Sequence, residues 1–229
     1  TNVFKVRNAT TTAAWSSSTN RNNGMDSTAG GAGTTTDAVV FGGYQAPGNP
    51  APIPAPGGAG YSAITEKWDG TSWTTSGALN GGGSGVVGWG PSSTSAIAAN
   101  RYADSPSGRF YTNSTESFDG STWTSLNNSN VQKEGAGGTG GAITVGFACG
   151  GNQPYGATNT AAASETWDGT SWTETAEVNE GRYFGAGAGT NTAALFFGGQ
   201  DPGLSPVRID NTELWNGSSW TEVNDMNTG

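Results

Sequence analysis

A short aromatic hairpin motif recurs four times along the 229-residue chain. Its clearest copy, residues 167–172, reads Trp-Asp-Gly-Thr-Ser-Trp. Asp-Gly beside apolar positions predicts a type I′ turn, which needs positive φ at both central residues. Because strand side chains alternate, the two flanking aromatics are expected on one face of the hairpin. The other copies begin at Trp68, Phe118 and Trp215.

The second tryptophan of each hairpin sets a regular spacing. Trp123 lies 50 residues after Trp73, Trp172 lies 49 residues after Trp123, and Trp220 lies 48 residues after Trp172. A period of this length with several short strands per unit is typical of a propeller blade and not of a helical solenoid. An asparagine follows each of these tryptophans by seven residues: Asn80, Asn130, Asn179 and Asn227.

Each unit is predicted to contain four strands in the same order. A Gly/Ala/Thr-rich strand comes first, and an apolar strand ending in a glycine pair, as in residues 39–43, comes second. A variable loop and the aromatic hairpin follow. The small residues of the first strand suit a crowded centre, and the tryptophans suit the gaps between blades. No window shows a helical period, so the fold is predicted to be all-β. One glutamate precedes the first aromatic of each hairpin: Glu66, Glu116, Glu165 and Glu213.

This order of elements resembles the kelch repeat. Residues 198–226 carry the resemblance best, with Gly-Gly, Glu213, Trp215 and Trp220 in sequence, and Arg182 stands where kelch units often carry an arginine. The short Asp-Gly-Thr-Ser turn and the Gly/Thr/Asn-rich texture are similar to kelch-like arrays of bacteriophage virion proteins and microbial surface proteins. The resemblance covers roughly residues 24–229 and implies a small kelch-like β-propeller. The expected repeats are about 24–79, 80–129, 130–178 and 179–229.

Four blades are recognisable, and a partial or rudimentary fifth is expected. Asn22 follows Trp15 by seven residues, as in the repeats, but without an upstream hairpin, so residues 1–23 are predicted to hold N-terminal strands and an orphan outer strand. The favoured explanation is a rudimentary fifth blade made by residues 1–6 and 13–18. The alternatives are that the chain is a slice of a larger protein, or that another subunit completes exposed sheet edges.

Composition and charge exclude several classes of function. Nine basic and eighteen acidic residues give a net charge of −9, so no nucleic-acid partner is expected. No apolar stretch is long enough to cross a bilayer, so no membrane insertion is expected. Cys149 is the only cysteine and is expected to be a buried apolar residue. Four Asn-x-Ser/Thr sequences permit glycosylation: Asn8, Asn113, Asn127 and Asn216.

Catalytic residues are scarce in this sequence. The chain has no histidine, which removes the commonest general base and metal ligand, and with it any Ser-His-Asp or Cys-His arrangement. A carboxylate pair remains, but a glutamate repeated in every unit is expected to bind neighbouring backbone and not to catalyse. The prediction is therefore a protein that is not an enzyme, with no catalytic residue, no metal and no cofactor.

The variable loops after the second strand of each unit are expected at roughly residues 44–65, 101–115, 152–164 and 200–212. They are expected to share one rim of the propeller, where binding residues usually lie. Exposed aromatics there are expected to stack on sugar rings, or to pack the loops down and contact other subunits. The binding candidates are Tyr102, Tyr111, Tyr155, Arg208 and Tyr44.

The function predicted from these features is that of a non-enzymatic extracellular structural or adhesive protein. A virion appendage or a self-assembling extracellular fibre is the expected setting, so the protein is placed outside the cell or on a virion surface. The expected partners are further copies of the chain or other structural subunits, with surface glycans as a further partner. A glycan-binding, lectin-like propeller is the alternative, and a carboxylate-dependent hydrolase is the third possibility.

Overall fold

The computed structural model describes residues 19–25, 29–45, 60–105, 108–154, 162–201 and 208–226. Across these residues the chain forms sixteen β-strands and no helix, so the all-β prediction is confirmed. The strands make four antiparallel sheets of four strands, each joined in sequence order. The predicted fifth-blade strands at residues 1–6 and 13–18, with Trp15, lie outside the described residues.

The four sheets follow one another along the chain, and each lies within one predicted repeat. Sheet 1 contains β1 (Gly30–Gly33), β2 (Ala38–Phe41), β3 (Thr65–Trp68) and β4 (Trp73–Ser76). Sheet 2 contains β5 (Val87–Ser92), β6 (Ser95–Ser105), β7 (Gly108–Phe118) and β8 (Trp123–Ser125). Sheet 3 contains β9 (Gly137–Ala142), β10 (Val145–Cys149), β11 (Ser164–Trp167) and β12 (Trp172–Glu174). Sheet 4 contains β13 (Ala186–Thr190), β14 (Ala193–Phe197), β15 (Thr212–Trp215) and β16 (Trp220–Val223).

The first strands of the sheets pack on one another in the order β1, β5, β9 and β13. Their backbones approach too closely for side chains: a Cβ atom on Gly88 would lie 2.6 Å from the Gly31 nitrogen. A Cβ atom on Gly187 would lie 3.0 Å from the nitrogen of Gly138. The glycine-rich strands thus let four sheets converge on one centre, an arrangement consistent with a β-propeller. Within the described part of the chain, β1 and β13 at the two ends of the row do not pack extensively on each other.

Each sheet has a leading face, toward the preceding sheet, and a trailing face, toward the following one. The two hairpin aromatics lie on the leading face, and in sheets 2, 3 and 4 they pack on the apolar second strand of the preceding sheet. Trp215 and Trp220 of sheet 4, for example, form a buried cluster with Phe147 and Cys149 of sheet 3. Aromatic pairs of this kind stabilise a fold by about 0.5–1.5 kcal/mol each beyond area burial. The tryptophans therefore fill the gaps between sheets.

The indoles of the hairpin tryptophans also satisfy their N–H groups, as burial of a polar atom requires. The second tryptophan donates across the gap between sheets: Trp172 Nε1 lies 2.9 Å from Thr115 Oγ1 of sheet 2. The first tryptophan donates within its own sheet, where Trp167 Nε1 lies 2.9 Å from the Ile143 carbonyl oxygen. Each tryptophan of the pair therefore has a separate anchoring role.

The hairpin turn differs from the predicted type I′ turn. Trp167 and Trp172 do pair directly across β11 and β12, with ring centroids 5.5 Å apart. Within the turn only Gly169 has a positive φ, at 99°. Asp168 Oδ1 instead accepts the N–H groups of Thr170 and Ser171, both at 2.8 Å. A four-residue loop closed by an aspartate side chain needs the left-handed conformation at glycine alone, so the two-residue turn type was wrong.

The same side-chain cap occurs in the other three hairpins, centred on Asp69, Asp119 and Asn216. In sheet 3 the N–H of Ser171 is the largest cause that holds the pKa of Asp168 well below its usual range. Hydrogen bonding to the charged form of a carboxylate has this effect. The aspartates of the turns are therefore ionised structural caps.

The loop expected at residues 101–115 is instead a β-ribbon. Strands β6 and β7 each run for eleven residues and pair along most of their length. In the other sheets a glycine pair ends the second strand, whereas sheet 2 has Asn100 and Arg101 there. Asn100 keeps a positive φ of 50° because its Nδ2 donates to Ser129 Oγ at 2.7 Å. The glycine pairs of the other sheets have two left-handed residues, whereas sheet 2 has Asn100 alone. Strand β6 therefore continues beyond Asn100 to Ser105.

Replacing Gly88 by Ala is expected to lower the free energy of unfolding by about 1–3 kcal/mol, because the new Cβ would overlap the β1 backbone. Gly141 is the matched control, since a Cβ there meets no atom within 4 Å. Gly141→Ala is expected to change stability by less than about 0.5 kcal/mol. Urea unfolding of both variants measures the difference, and equal effects would contradict the close approach of β1 and β5.

Candidate functional site

The four repeated glutamates lie in the third strand of each sheet and are almost completely buried, with at most 1% of each exposed. Each carboxylate accepts the backbone N–H of the asparagine that precedes its sheet. In three of the units the asparagine side chain adds a hydrogen bond from Nδ2 to the carbonyl oxygen of the second hairpin tryptophan, which accounts for asparagine at this position. The asparagine nitrogen lies between 2.7 and 3.0 Å from the carboxylate oxygen in each pair: Asn22–Glu66, Asn80–Glu116, Asn130–Glu165 and Asn179–Glu213. These glutamates therefore fasten each sheet to the segment that leads into it.

Every one of these glutamates also has a cationic partner. A buried carboxylate is costly unless it is paired and hydrogen-bonded, so one cation per sheet is needed. The ion pairs are Arg21–Glu66 at 2.9 Å, Arg101–Glu116 at 2.5 Å, Lys133–Glu165 at 3.0 Å and Arg182–Glu213 at 2.9 Å. The four carboxylates thus serve the packing of the sheets.

The cation of sheet 2 comes from a different position in the repeat. Lys133 and Arg182 stand three residues after the repeated asparagines Asn130 and Asn179. In sheet 2 the residue three positions after the repeated asparagine is Gly83. Arg101 reaches Glu116 from the position occupied by a glycine in sheets 3 and 4. Its side chain lies over Gly83, where a Cβ would be 2.7 Å from Arg101 Cδ. Glycine and cation have exchanged places, and the buried charge pair is preserved.

Four tyrosines form a continuous row at the end of the sheets where the second strands finish. The ring centroids of Tyr44 and Tyr61 are 5.2 Å apart, those of Tyr61 and Tyr102 are 5.7 Å apart, and those of Tyr102 and Tyr111 are 4.9 Å apart. We call these residues the tyrosine row. Tyr61 is buried and the other three are half-buried. The row spans sheets 1 and 2.

The tyrosine row brings together three of the predicted binding residues, Tyr44, Tyr102 and Tyr111. Sequence reasoning missed Tyr61, which holds the row together from within the first variable loop. Its ring neighbours Tyr44 and Tyr102 are distant in sequence, and Tyr102 belongs to another repeat. The sequence therefore offered one indication of a role for Tyr61, which is an aromatic side chain in a variable loop.

The tyrosine row continues into sheet 3 through a hydrogen-bonded amide. Asn152 Nδ2 donates to Tyr111 Oη at 2.8 Å. Asn152 also forms a backbone bridge with Glu134, with N–H to carbonyl distances of 2.9 and 2.8 Å in the two directions. Burial raises the pKa of Glu134 to about 6, and a hydrogen bond from the Asn152 side chain opposes that rise. The chain Tyr111–Asn152–Glu134 is polar and forms one end of the row.

Glu134 was not predicted from the sequence. It follows Lys133 directly, and an isolated acid beside a lysine usually indicates a solvated position. In the part of the chain that the structure describes, Glu134 forms no ion pair, since Lys133 pairs with Glu165. Glu134 is therefore a half-buried carboxylate available at the surface.

Phe184 is a bulky residue in a left-handed conformation, with a φ of 58°. Gly85 and Gly135 hold the corresponding positions of sheets 2 and 3, with φ of 65° and 61°. Phe184 N–H donates to the Gly135 carbonyl at 2.6 Å, which joins sheets 3 and 4. The phenyl ring is 43% exposed and lines a central depression of about 190 Å³ with residues from all four sheets. Strained residues of this kind often lie at functional sites.

The remaining predicted residues do not join the tyrosine row. Arg208 is exposed and forms a backbone bridge with Gln200 in sheet 4, and Tyr155 lies outside the described residues. Asn8 also lies outside them. The other three glycosylation candidates already donate hydrogen bonds through Nδ2: Asn113 to the Ser129 carbonyl, Asn127 to the Thr170 carbonyl and Asn216 to Ser219 Oγ.

Cys149 is buried between sheets 3 and 4, and burial raises the pKa of its thiol. Over the described ranges, no group of three or more Cys, Asp or Glu side chains is placed to hold a metal ion. No helix within those ranges is long and apolar enough to cross a membrane.

The comparison with known proteins identifies the class of fold. No protein-family model matches the chain, and no curated protein matches it. Among solved structures, 165 chains match. One of them, the structure of YjhT, has a TM-score of 0.64 at 12% identity and covers 89% of this chain and 66% of that one. The chain thus spans about two thirds of YjhT, and the likeness supports a β-propeller fold.

Arg101→Gly is expected to lower the free energy of unfolding by about 3–5 kcal/mol, because it leaves Glu116 buried without a cation. Adding Gly83→Arg to that variant is expected to restore much of the loss, since it recreates the arrangement of Arg182 in sheet 4. Gly83→Arg alone should be destabilising, because its side chain would overlap Arg101. Chemical unfolding of the three variants provides the test, and a double variant no more stable than Arg101→Gly would contradict the exchange.

Glu134 is expected to make the protein less stable as the pH rises. Its folded pKa of about 6 exceeds the usual value of 4.5, so the folded chain binds more protons between these values. The stabilising contribution is therefore complete below about pH 4.5 and lost as the pH rises through 6.

Glu134→Gln is expected to flatten this part of the profile and to gain up to about 1 kcal/mol at neutral pH, a value reduced for solvent screening. Urea unfolding at pH 4.5 and 7 measures the effect. Exposed Glu174→Gln serves as the control and should keep the wild-type profile. An unchanged profile in Glu134→Gln would argue against a buried carboxyl group.

Proposed function

We propose that the protein is a non-enzymatic structural or adhesive propeller of the kelch-like type that acts outside the cell. Its setting is a virion appendage or an extracellular fibre, where it presents the tyrosine row to other surfaces. The observation that carries the proposal is the row itself. Three half-buried tyrosines, joined through the buried ring of Tyr61, lie in one row on a rigid scaffold, beside a polar end formed by Asn152 and Glu134. Tyrosines held in this way are enriched in protein recognition surfaces.

The rigidity of the scaffold supports a role in binding. Each sheet is fastened to the chain segment before it by a buried glutamate, and sheets 2, 3 and 4 are each fastened to the preceding sheet by a pair of aromatics. A surface carried by such a framework loses little conformational entropy when it binds. The tyrosines are also packed on one another, so few of their rotamers remain to be ordered.

Glycan binding is the second candidate, and the Tyr111–Asn152–Glu134 chain favours it. Aromatic rings beside amide and carboxylate oxygens supply both stacking faces and hydrogen bonds for sugar hydroxyl groups. A hydrolase is favoured least. Sugar hydrolysis uses two carboxyl groups flanking one bond, and the four repeated glutamates are each bound to a cation and to backbone.

Tyr102→Ala and Tyr111→Ala are expected to reduce binding to immobilised glycans or to whole bacterial cells by roughly tenfold or more, as loss of a central tyrosine does at other interfaces. Binding is measured with the fluorescently labelled full chain on a glycan array and by cell sedimentation. Glu174→Ala is the control, because Glu174 is exposed in sheet 3 outside the row, and it should bind as the wild type does. Circular dichroism checks that each variant is folded.

The two candidates give different patterns in this experiment. An adhesive role through protein contacts gives cell binding without a glycan signal, whereas a lectin gives both. Turnover of a chromogenic glycoside panel would favour the hydrolase. Tyrosine variants that bind every surface as well as the wild type would contradict a role for the row.

A further inference from the structure

The trailing face of sheet 4 is apolar and exposed. Leu195 on β14 is 37% exposed. The corresponding residues of the first three sheets, Val39, Ile97 and Phe147, are each 1% exposed because the next sheet covers them. Leu214 and Val223 on the same face of sheet 4 are 41% and 37% exposed. Three large apolar side chains therefore remain accessible where a following sheet would pack.

The same face is more apolar than its counterparts inside the chain. The register of the strands places Leu214 beside Leu195 and aligns Val223 with Thr212. Leu214 occupies the position that Lys67, Ser117 and Thr166 hold in sheets 1, 2 and 3. If this face of sheet 4 were permanently exposed to solvent, a polar residue would be expected at this position, but the residue is Leu214. Contiguous exposed apolar side chains of this kind mark interaction surfaces.

The leading face of sheet 1 is the complementary half of such an interface. Trp68 and Trp73 are half-buried, whereas Trp167 and Trp172 of sheet 3 are 1% and 7% exposed. Ala38 on β2 is also half-buried, although the corresponding Ala96 and Ala194 are almost fully covered.

Among the described residues, the segment 19–23 contacts the outer edge of this leading face. There Trp73 Nε1 donates to the Thr19 carbonyl at 3.2 Å, as Trp220 donates to Ala176 in sheet 4. Ala38, Val40 and Trp68 on this face are half-buried.

The chain itself shows what covers these two kinds of face. Three times within it a trailing face receives a leading face, and each contact forms a buried apolar cluster. We propose that the trailing face of sheet 4 docks on the leading face of sheet 1 of a second copy of this chain. The contact is heterologous, so successive copies join head to tail, either in a closed ring or in a filament. The inference rests on the proposed structural role and names the partner in assembly.

Two variants of the full chain test the docking, one on each face. Leu195→Asp places a charge on the trailing face, and Ala38→Arg places a bulky charge on the leading face. Wild-type protein is expected to show an increase in mass of twofold or more by light scattering as its concentration rises, with rings or filaments in negative-stain images. Each variant alone should remain at the monomer mass. Phe110→Asp, at an equally exposed aromatic outside both faces, should assemble as the wild type does.

Mixing the two variants distinguishes head-to-tail docking from other contacts. The intact trailing face of Ala38→Arg can receive the intact leading face of Leu195→Asp, so the mixture should form a dimer of one copy of each and grow no further. A wild-type monomer at every concentration would overturn the proposal, as would variants that assemble normally or a mixture that stays monomeric. Circular dichroism confirms folding of each variant. Loss of assembly leaves the tyrosine row intact, so surface binding by the assembly-deficient variants tests the proposed function separately.

Discussion

The buried glutamate of each sheet is the interaction on which the rest of the structure depends. It joins three parts of the molecule at once: the third strand, the backbone of the segment entering the sheet, and a cation. Removing a carboxylate from water is costly, so the arrangement is stable only when all of these partners are present. This requirement fixes how each segment enters its sheet. It also explains why sheet 2 retains the charge pair although its cation comes from another position.

The two other repeated features act on the gaps between sheets. Glycines in the first strands allow the backbones to meet near the centre, and tryptophans fill the wider space outside. The aspartate or asparagine of each turn holds the two tryptophans on one face. Each sheet thus has a leading face that can pack on the sheet before it and a trailing face that can pack on the sheet after it. Among the described residues, the leading face of sheet 1 and the trailing face of sheet 4 stay partly exposed, and the proposed head-to-tail contact between copies would bury their apolar surface.

The candidate binding features lie where the repeat is broken. Sheet 2 lacks the glycine pair, and its extended ribbon carries Tyr102 and Tyr111 outward. Sheet 4 has Phe184 where sheets 2 and 3 have glycine, which places a strained ring at the central depression. Among the described residues Glu134 forms no ion pair, unlike the glutamates of the regular positions. Departures from a repeat that packs well cost stability, and such costs are often found at functional positions.

The sequence by itself determined the repeat, the all-β class and the pairing of the tryptophans, because periodic aromatics and Asp-Gly turns are local signals. It did not determine the turn type, since a side-chain cap competes with the two-residue turn. It did not show that residues 101–115 form strands, because Asn100 depends on Ser129 for its conformation. Only the tertiary structure assembled Tyr61, Asn152 and Glu134 with the predicted tyrosines. Their contacts join different repeats, and no local pattern encodes which residues of separate sheets will meet.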